Sequence, residues 1–160
     1  MRRRTILKGS ATAAAGFALM GGRAFAQQPA DIEAVKAANA AFYVALSARD
    51  AKIMDPLWAN KPYVVNIGPR SKAAVVGYAD AVTKWSASLS DVFKELKASM
   101  TSTAQIRTNG NVAWVVGTEH AEGKNKAGEP FAFDTFVTNV FEKEGDRWLM
   151  VSHHAGILPK

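Results

Sequence analysis

The sequence has no cysteine among its 160 residues. That excludes a disulfide framework, a thiolate metal site and a thiol nucleophile. It also lacks any run of about 18 apolar residues, the length a helix needs to span a bilayer. No His-x-x-x-His, His-Glu-x-x-His, phosphate-cradling glycine loop or nucleophile-elbow string occurs. The chain therefore carries no motif that calls for a metal or cofactor, and none is expected. Internal repeats are absent too.

What is present is an ordinary globular balance, 48% hydrophobic and 21% charged, of a length suited to one domain. The formal charge of +6 comes from 20 Lys+Arg against 14 Asp+Glu and would normally raise a polyanionic partner. The location of the charges changes that inference. The chain opens Arg2-Arg3-Arg4-Thr5-Ile6-Leu7-Lys8 and continues through an uncharged Ala/Gly-rich stretch, Gly9 to Gly22. It then reaches Arg23 and Ala24-Phe25-Ala26. A basic start, a short apolar middle and a small-residue exit are the layout of a secretory signal. The paired arginines Arg3 and Arg4 before Thr-Ile-Leu-Lys resemble the bacterial twin-arginine export signal. Residues 1–26 are thus expected to be a cleaved export signal and residues 27–160 a single periplasmic domain. Five of the positive charges lie in that segment, leaving 15 basic against 14 acidic residues, a net +1. The electrostatic case for nucleic acid disappears, and no membrane association is expected after cleavage.

Along the mature chain, Asp31 reads as the cap of a helix running to about Arg49, with Ile32, Val35, Ala38, Phe42 and Leu46 as one apolar stripe. Asp50 reads as the cap of a second, short helix over 51–59. Residues 62–67 read as a strand stopped by Gly68-Pro69, and 77–89 as a third helix. Strands are expected over 94–107, 112–120, 131–143 and 148–154, with Asn109-Gly110 and Gly145-Asp146 as turns. Helices followed by a meander mean α+β, with the helices on one face of a mostly antiparallel sheet.

This order and several local strings resemble the SnoaL-like branch of the nuclear transport factor 2-like superfamily. The strings are Ala45-Leu-Ser-Ala-Arg-Asp50, Ile67-Gly-Pro69, Asn111-Val-Ala-Trp-Val-Val-Gly-Thr-Glu119, Phe136-Val-Thr-Asn-Val-Phe141 and Gly145-Asp-Arg-Trp-Leu-Met-Val-Ser-His-His-Ala155. The resemblance implies a cystatin-like cone, a curved sheet wrapped around the long N-terminal helix. It also implies a small-molecule pocket at the open end and a homodimer through the outer sheet face.

His153 and His154 are neighbours on a strand and point to opposite faces. The resemblance makes His154 the pocket histidine; the alternative is a structural histidine hydrogen-bonded near the cone mouth. It implies inward directions for Glu119 and Asn139. A carboxylate in an apolar cone has a raised pKa and could act as a base, and Asn139 could orient a carbonyl. Asp134, at odd spacing from Asn139, belongs on the other face. Tyr43, Trp58, Tyr63 and Trp85 are candidates for gripping an aromatic ligand, or else core. The chain departs from ketosteroid isomerase: residues 56–79 hold no Asp or Glu, Asn66 stands near the base position, and Phe42 stands where that enzyme has its tyrosine. Two functions remain: non-catalytic binding of a small, largely apolar or aromatic molecule, or cofactor-independent acid–base chemistry of the isomerase, dehydratase or cyclase type using His154 and Glu119.

Overall fold

The computed structural model describes residues 29–102 and 105–159; the expected export signal lies outside them. Helix α1 spans Pro29–Ala48, and α2 spans Ala51–Met54 and runs into a 3-10 turn at Asp55–Leu57. Strands β1 (Val65–Ile67) and β2 (Val75–Val76) follow. A π-helical stretch, Ala79–Lys84, leads into α3, Trp85–Val92. The remainder is sheet: β3 (Phe93–Met100), β4 (Gln105–Asn109), β5 (Val112–Asn125), β6 (Pro130–Glu144) and β7 (Arg147–Ile157).

The seven strands form one sheet in the order β2-β1-β7-β6-β5-β3, with β4 also paired to β5. All pairings are antiparallel except β1 with β7. The fold is the α+β class expected, with the N-terminal helix packed on a curved, mostly antiparallel sheet. The single strand expected over 94–107 is two strands, which share β5 between them. Between them the ladder is continued by Thr101 N–H to the Thr118 carbonyl and by Thr118 N–H to Ser102 Oγ, both 2.9 Å. The turn into β5 needs a left-handed residue, which Gly110 supplies at φ +60°.

Helix α1 lies across the inner face of the sheet. Val35 and Phe42 are fully buried and Leu46 nearly so, each such side chain contributing roughly 1.5–3 kcal/mol of burial. Asp50 caps α2 as expected, accepting from Lys52 N–H at 2.8 Å. Asp31 does not cap α1. It sits within the first turn and accepts from Lys143 Nζ at 2.6 Å and Trp148 Nε1 at 3.3 Å, tying the helix start to β6 and β7. The ammonium of Lys143 holds its carboxyl below the usual carboxylate range. Arg49 ends the helix in the left-handed region, at φ +56°. Its guanidinium donates to the carbonyls of Phe93 (2.9 Å) and Lys94, so the helix end is pinned to the start of β3.

Candidate functional site

A one-residue bulge decides which histidine enters the interior. Phe141 pairs with Met150 and Val140 with Ser152, so Val151 is the extra residue on β7. Trp148 and Met150 face inward with Phe141. On a regular strand the same parity would carry His154 inward. The bulge reverses it. His153 is 4% exposed and His154 is exposed on the outer face, so the expectation of an inward His154 is corrected to His153.

His153 ends a buried polar chain. Its Nδ1 lies 2.7 Å from Asn139 Oδ1, Asn139 Nδ2 donates to Asn39 Oδ1 at 2.8 Å, and Asn39 Nδ2 reaches Met100 Sδ at 3.0 Å. Each amide has one orientation that satisfies all partners, and Asn139 Oδ1 can only accept. Nδ1 therefore carries the proton and Nε2 is the free acceptor. Burial, with a small contribution from the neighbouring His154, pushes the His153 imidazole down to about 4. It is neutral at physiological pH. The Phe42 ring packs 4.9 Å from it, centroid to centroid.

Glu119 is the second buried titratable group, 4% exposed. Tyr43 Oη donates to its Oε2 at 2.9 Å. Burial raises the pKa of the carboxyl, against the opposing influence of Tyr43 and Thr135. Thr135 is the cross-strand neighbour of Glu119, yet its hydroxyl meets no partner in hydrogen-bond geometry. The Tyr43 phenol is raised as well, by burial first and then by the adjoining carboxylate.

Glu119 and His153 line one cavity of about 420 Å³. Its walls are Leu46, Leu89, Leu96, Trp85, Phe93 and Phe131, and the Gly68–Ser71 loop also borders it. Of the aromatic candidates only Trp85 is part of that lining. Tyr43 reaches Glu119 from behind and borders a separate groove between α1 and β3. Trp58 is buried in the core against Phe42 and Trp85. Tyr63 is half exposed and donates to Glu142 at 2.7 Å, outside the cavity lining. Asn139 is fully buried, lies outside the cavity lining and is bonded to His153. Asn66, adjacent to His153 across β1 and β7, gives its Nδ2 to the Ala81 carbonyl at 3.0 Å, and its Oδ1 is unpartnered. Among the described residues no group of three or more His, Asp or Glu side chains could hold a metal ion.

Sequence reasoning passed over Asn39, Thr135 and Phe133. Asn39 was detectable: it sits four residues from Val35 and three from Phe42, a polar side chain inside an apolar helical stripe. Asp134 is on the outer face as expected, where His120 Nδ1 meets its Oδ1 at 2.8 Å.

A helix laid across a curved sheet, with a cavity lined by two buried titratable groups, defines the nuclear transport factor 2-like architecture. Residues 35–159 match the SnoaL-like domain, and the chain belongs to that family. A candidate dehydratase of the NTF2-like family from Streptomyces avermitilis is 25% identical and superposes with a TM-score of 0.71, over 81% of this chain and 97% of that one. An NTF2-like superfamily protein from Salmonella enterica serovar Typhimurium gives 0.73 at 15% identity, over 80% of this chain and 91% of its own. The F-box protein SKIP8 of Arabidopsis thaliana is 28% identical over 129 residues, 81% of this chain. The chain spans about half the length of that plant relative, 52%.

Proposed function

We infer that this is an exported protein whose cavity binds a small, largely apolar or aromatic molecule. The observation that carries the reading is the cavity itself. At about 420 Å³ it lies in the range of small-molecule sites, with apolar and aromatic walls and few converging polar groups. Native mass spectrometry of protein isolated from its own cells tests it: a retained small molecule, displaced when Leu89 is enlarged to Trp, is the expected result. A cavity that is empty and takes up no member of a broad aromatic and alicyclic panel would refute it. Export is tested on the same sample, which should start at Gln27 and fractionate with the periplasm.

A second reading, acid–base catalysis, is supported by one observation: Glu119 and His153 line the same cavity with their pKa values moved in opposite directions. Burial favours the neutral form of both groups, a carboxyl able to donate a proton and an imidazole able to accept one. Here Nε2 of His153, not of His154, would take a proton from the carbon beside a substrate carbonyl. The neutral Glu119 carboxyl would donate its own proton to the receiving carbon or to a leaving hydroxyl, and the proton held by His153 would pass back to Glu119 before the next turnover. The likeness to the Streptomyces protein is compatible with such chemistry. Proton NMR of cyclic β,γ-unsaturated ketones and β-hydroxy ketones incubated with the protein in D2O tests it. Turnover or deuterium uptake lost in His153→Gln supports catalysis, and unchanged spectra across the panel refute it.

The outer sheet face suits a second copy of the chain. Trp114, Val116 and Phe136 are 38%, 42% and 58% exposed there, on the adjacent strands β5 and β6. Light scattering should give a dimer mass, reduced to monomer by Phe136→Glu.

A further inference from the structure

One wall of the cavity is an aromatic ladder that leads outward. The Phe93 and Phe131 rings lie 5.3 Å apart, and Phe131 stacks on Phe133 at 5.8 Å. Over the outer end stands Arg70, its guanidinium carbon 5.5 Å from the Phe133 ring centre. Arg70 belongs to the cavity lining yet is exposed, whereas Glu119 and His153 are buried, so the arginine marks the rim and the other two the floor.

The loop that presents Arg70 is braced. Ser71 N–H donates to the Gly68 carbonyl at 3.0 Å and Gly68 N–H to Ser71 Oγ at 2.8 Å, and Pro69 fixes a further backbone angle. Near the rim the other polar side chains of the lining are already bonded, and the free acceptor, Nε2 of His153, lies on the floor. Ser88 Oγ donates to the Trp85 carbonyl, and the Asn125 side chain is bonded through both its atoms to Glu129. Among the described residues Arg70 has neither a carboxylate within ion-pair distance nor a side-chain hydrogen bond. Apart from Glu119, which Tyr43 holds, it is the only charged side chain of the lining.

The geometry points to Arg70 as the specificity determinant of this cavity, selecting a cyclic or aromatic molecule that carries a carboxylate at its outer end. The inference rests on the cavity being a small-molecule site. The apolar body would lie between Trp85, Leu96 and the phenylalanine ladder. The carboxylate would meet the planar guanidinium fork at the rim, where two parallel N–H···O bonds are available. A structural arginine would instead be satisfied by an acid of its own chain. A site for a cation would place its open carboxylate at the rim, and the rim has none in the lining.

The test uses three probes of one shape: 2-naphthoate, 2-naphthalenemethanol and 2-naphthylmethylamine, titrated by ligand-observed NMR. The protein should bind the carboxylate about tenfold tighter than the alcohol, the scale of one charge-assisted pair at a partly exposed site. Arg70→Gln should remove that preference, leave the alcohol's affinity unchanged and leave the urea midpoint unchanged. Arg70→Lys should recover only part of it. Equal affinity of the unaltered protein for carboxylate and alcohol, a preference for the amine, or an Arg70→Gln variant that retains the carboxylate preference would each overturn the assignment. Failure of all three probes in a protein that binds other members of the aromatic and alicyclic panel would overturn it too, whereas failure of the whole panel would overturn the small-molecule reading beneath it.

Discussion

The imidazole of His153 donates from Nδ1 to Asn139 Oδ1 across 2.7 Å, and Asn139 has no freedom to answer differently. Its amide nitrogen is committed to Asn39 Oδ1 at 2.8 Å, one hundred residues earlier in the chain. Helix α1 thereby sets the tautomer of a histidine on the last strand. Asn139→Ala would leave the Asn39 carbonyl oxygen and the His153 N–H both buried and unpaired. The expected loss is about 2–4 kcal/mol in urea denaturation, the sum of two unsatisfied groups and a small cavity. A loss below about 0.5 kcal/mol, the range of an ordinary surface change, would show that the chain of amides does not hold the core.

His153 makes stability depend on pH in a direction that follows from its environment. Its pKa is lowered to about 4 in the folded protein from 6.5. Between these values the unfolded chain binds the extra proton, so stability falls as pH is lowered from 6.5 toward 4, by roughly 3 kcal/mol in all. His120 acts in the opposite sense. Asp134 raises its pKa, so its contribution is present below 6.5 and is lost as pH rises through the raised value. His153→Gln keeps a donor for Asn139 and removes only the first effect. Denaturation midpoints at pH 7 and pH 4.5 should therefore differ less in the variant than in the parent protein. Equal differences in the two would mean that His153 is not the group being protonated.

Burial of Glu119 gives the opposite slope for an acid. Its folded pKa is raised above 4.5, so as pH increases the unfolded chain ionises while the folded one resists. The contribution is full at low pH and declines as pH rises. Glu119→Gln keeps an oxygen to accept from Tyr43 and cannot ionise. It should match the parent protein at pH 4 and exceed it in stability at pH 8, measured by thermal melts. Under the catalytic reading the same variant should lose turnover, the usual opposition between stability and a poised site. A variant less stable than the parent at pH 8 would mean that the Glu119 carboxylate is stabilising where it stands.

The fold was largely legible because its signals are local. The stripe Val35, Phe42, Leu46 gives the helix its period, whereas the inward directions of Glu119 and Asn139 come from the family resemblance. What escaped depended on distant pairing. The bulge at Val151 arises from the register between β6 and β7, and a single unpaired residue exchanges His153 for His154. No local feature of Trp148 to Ala155 announces it. Tyr63 and Trp58 stand outside this cavity for a related reason: their type suits a pocket, but the turn before β1 holds Tyr63 at the surface and the bridge to Met150 holds Trp58 in the core. Arg70 lay beside a recognised stop, Gly68-Pro69, and nothing in its neighbours places it over Phe133, 63 positions on.

At the edge of the cavity wall β3 runs antiparallel against β5. A Cβ added at Gly123 would lie 2.0 Å from the Glu95 carbonyl oxygen and 2.7 Å from its carbon, so the backbone of β3 comes too close for any other residue. The contact falls beside the irregular pairing between Phe93 and Glu95, and β3 supplies Phe93 and Leu96 to the cavity. Gly123→Ala must therefore move the strand rather than a flexible side chain. A loss of about 1–3 kcal/mol is expected, together with weaker binding of an aromatic probe as the wall shifts. Gly156→Ala is the control, because nothing lies within 4 Å of its added Cβ. It should stay within about 0.5 kcal/mol of the parent. Urea denaturation decides it: equal midpoints for the two variants would show that β3 yields freely at this point, and that the cavity wall is softer than its close backbone contact suggests.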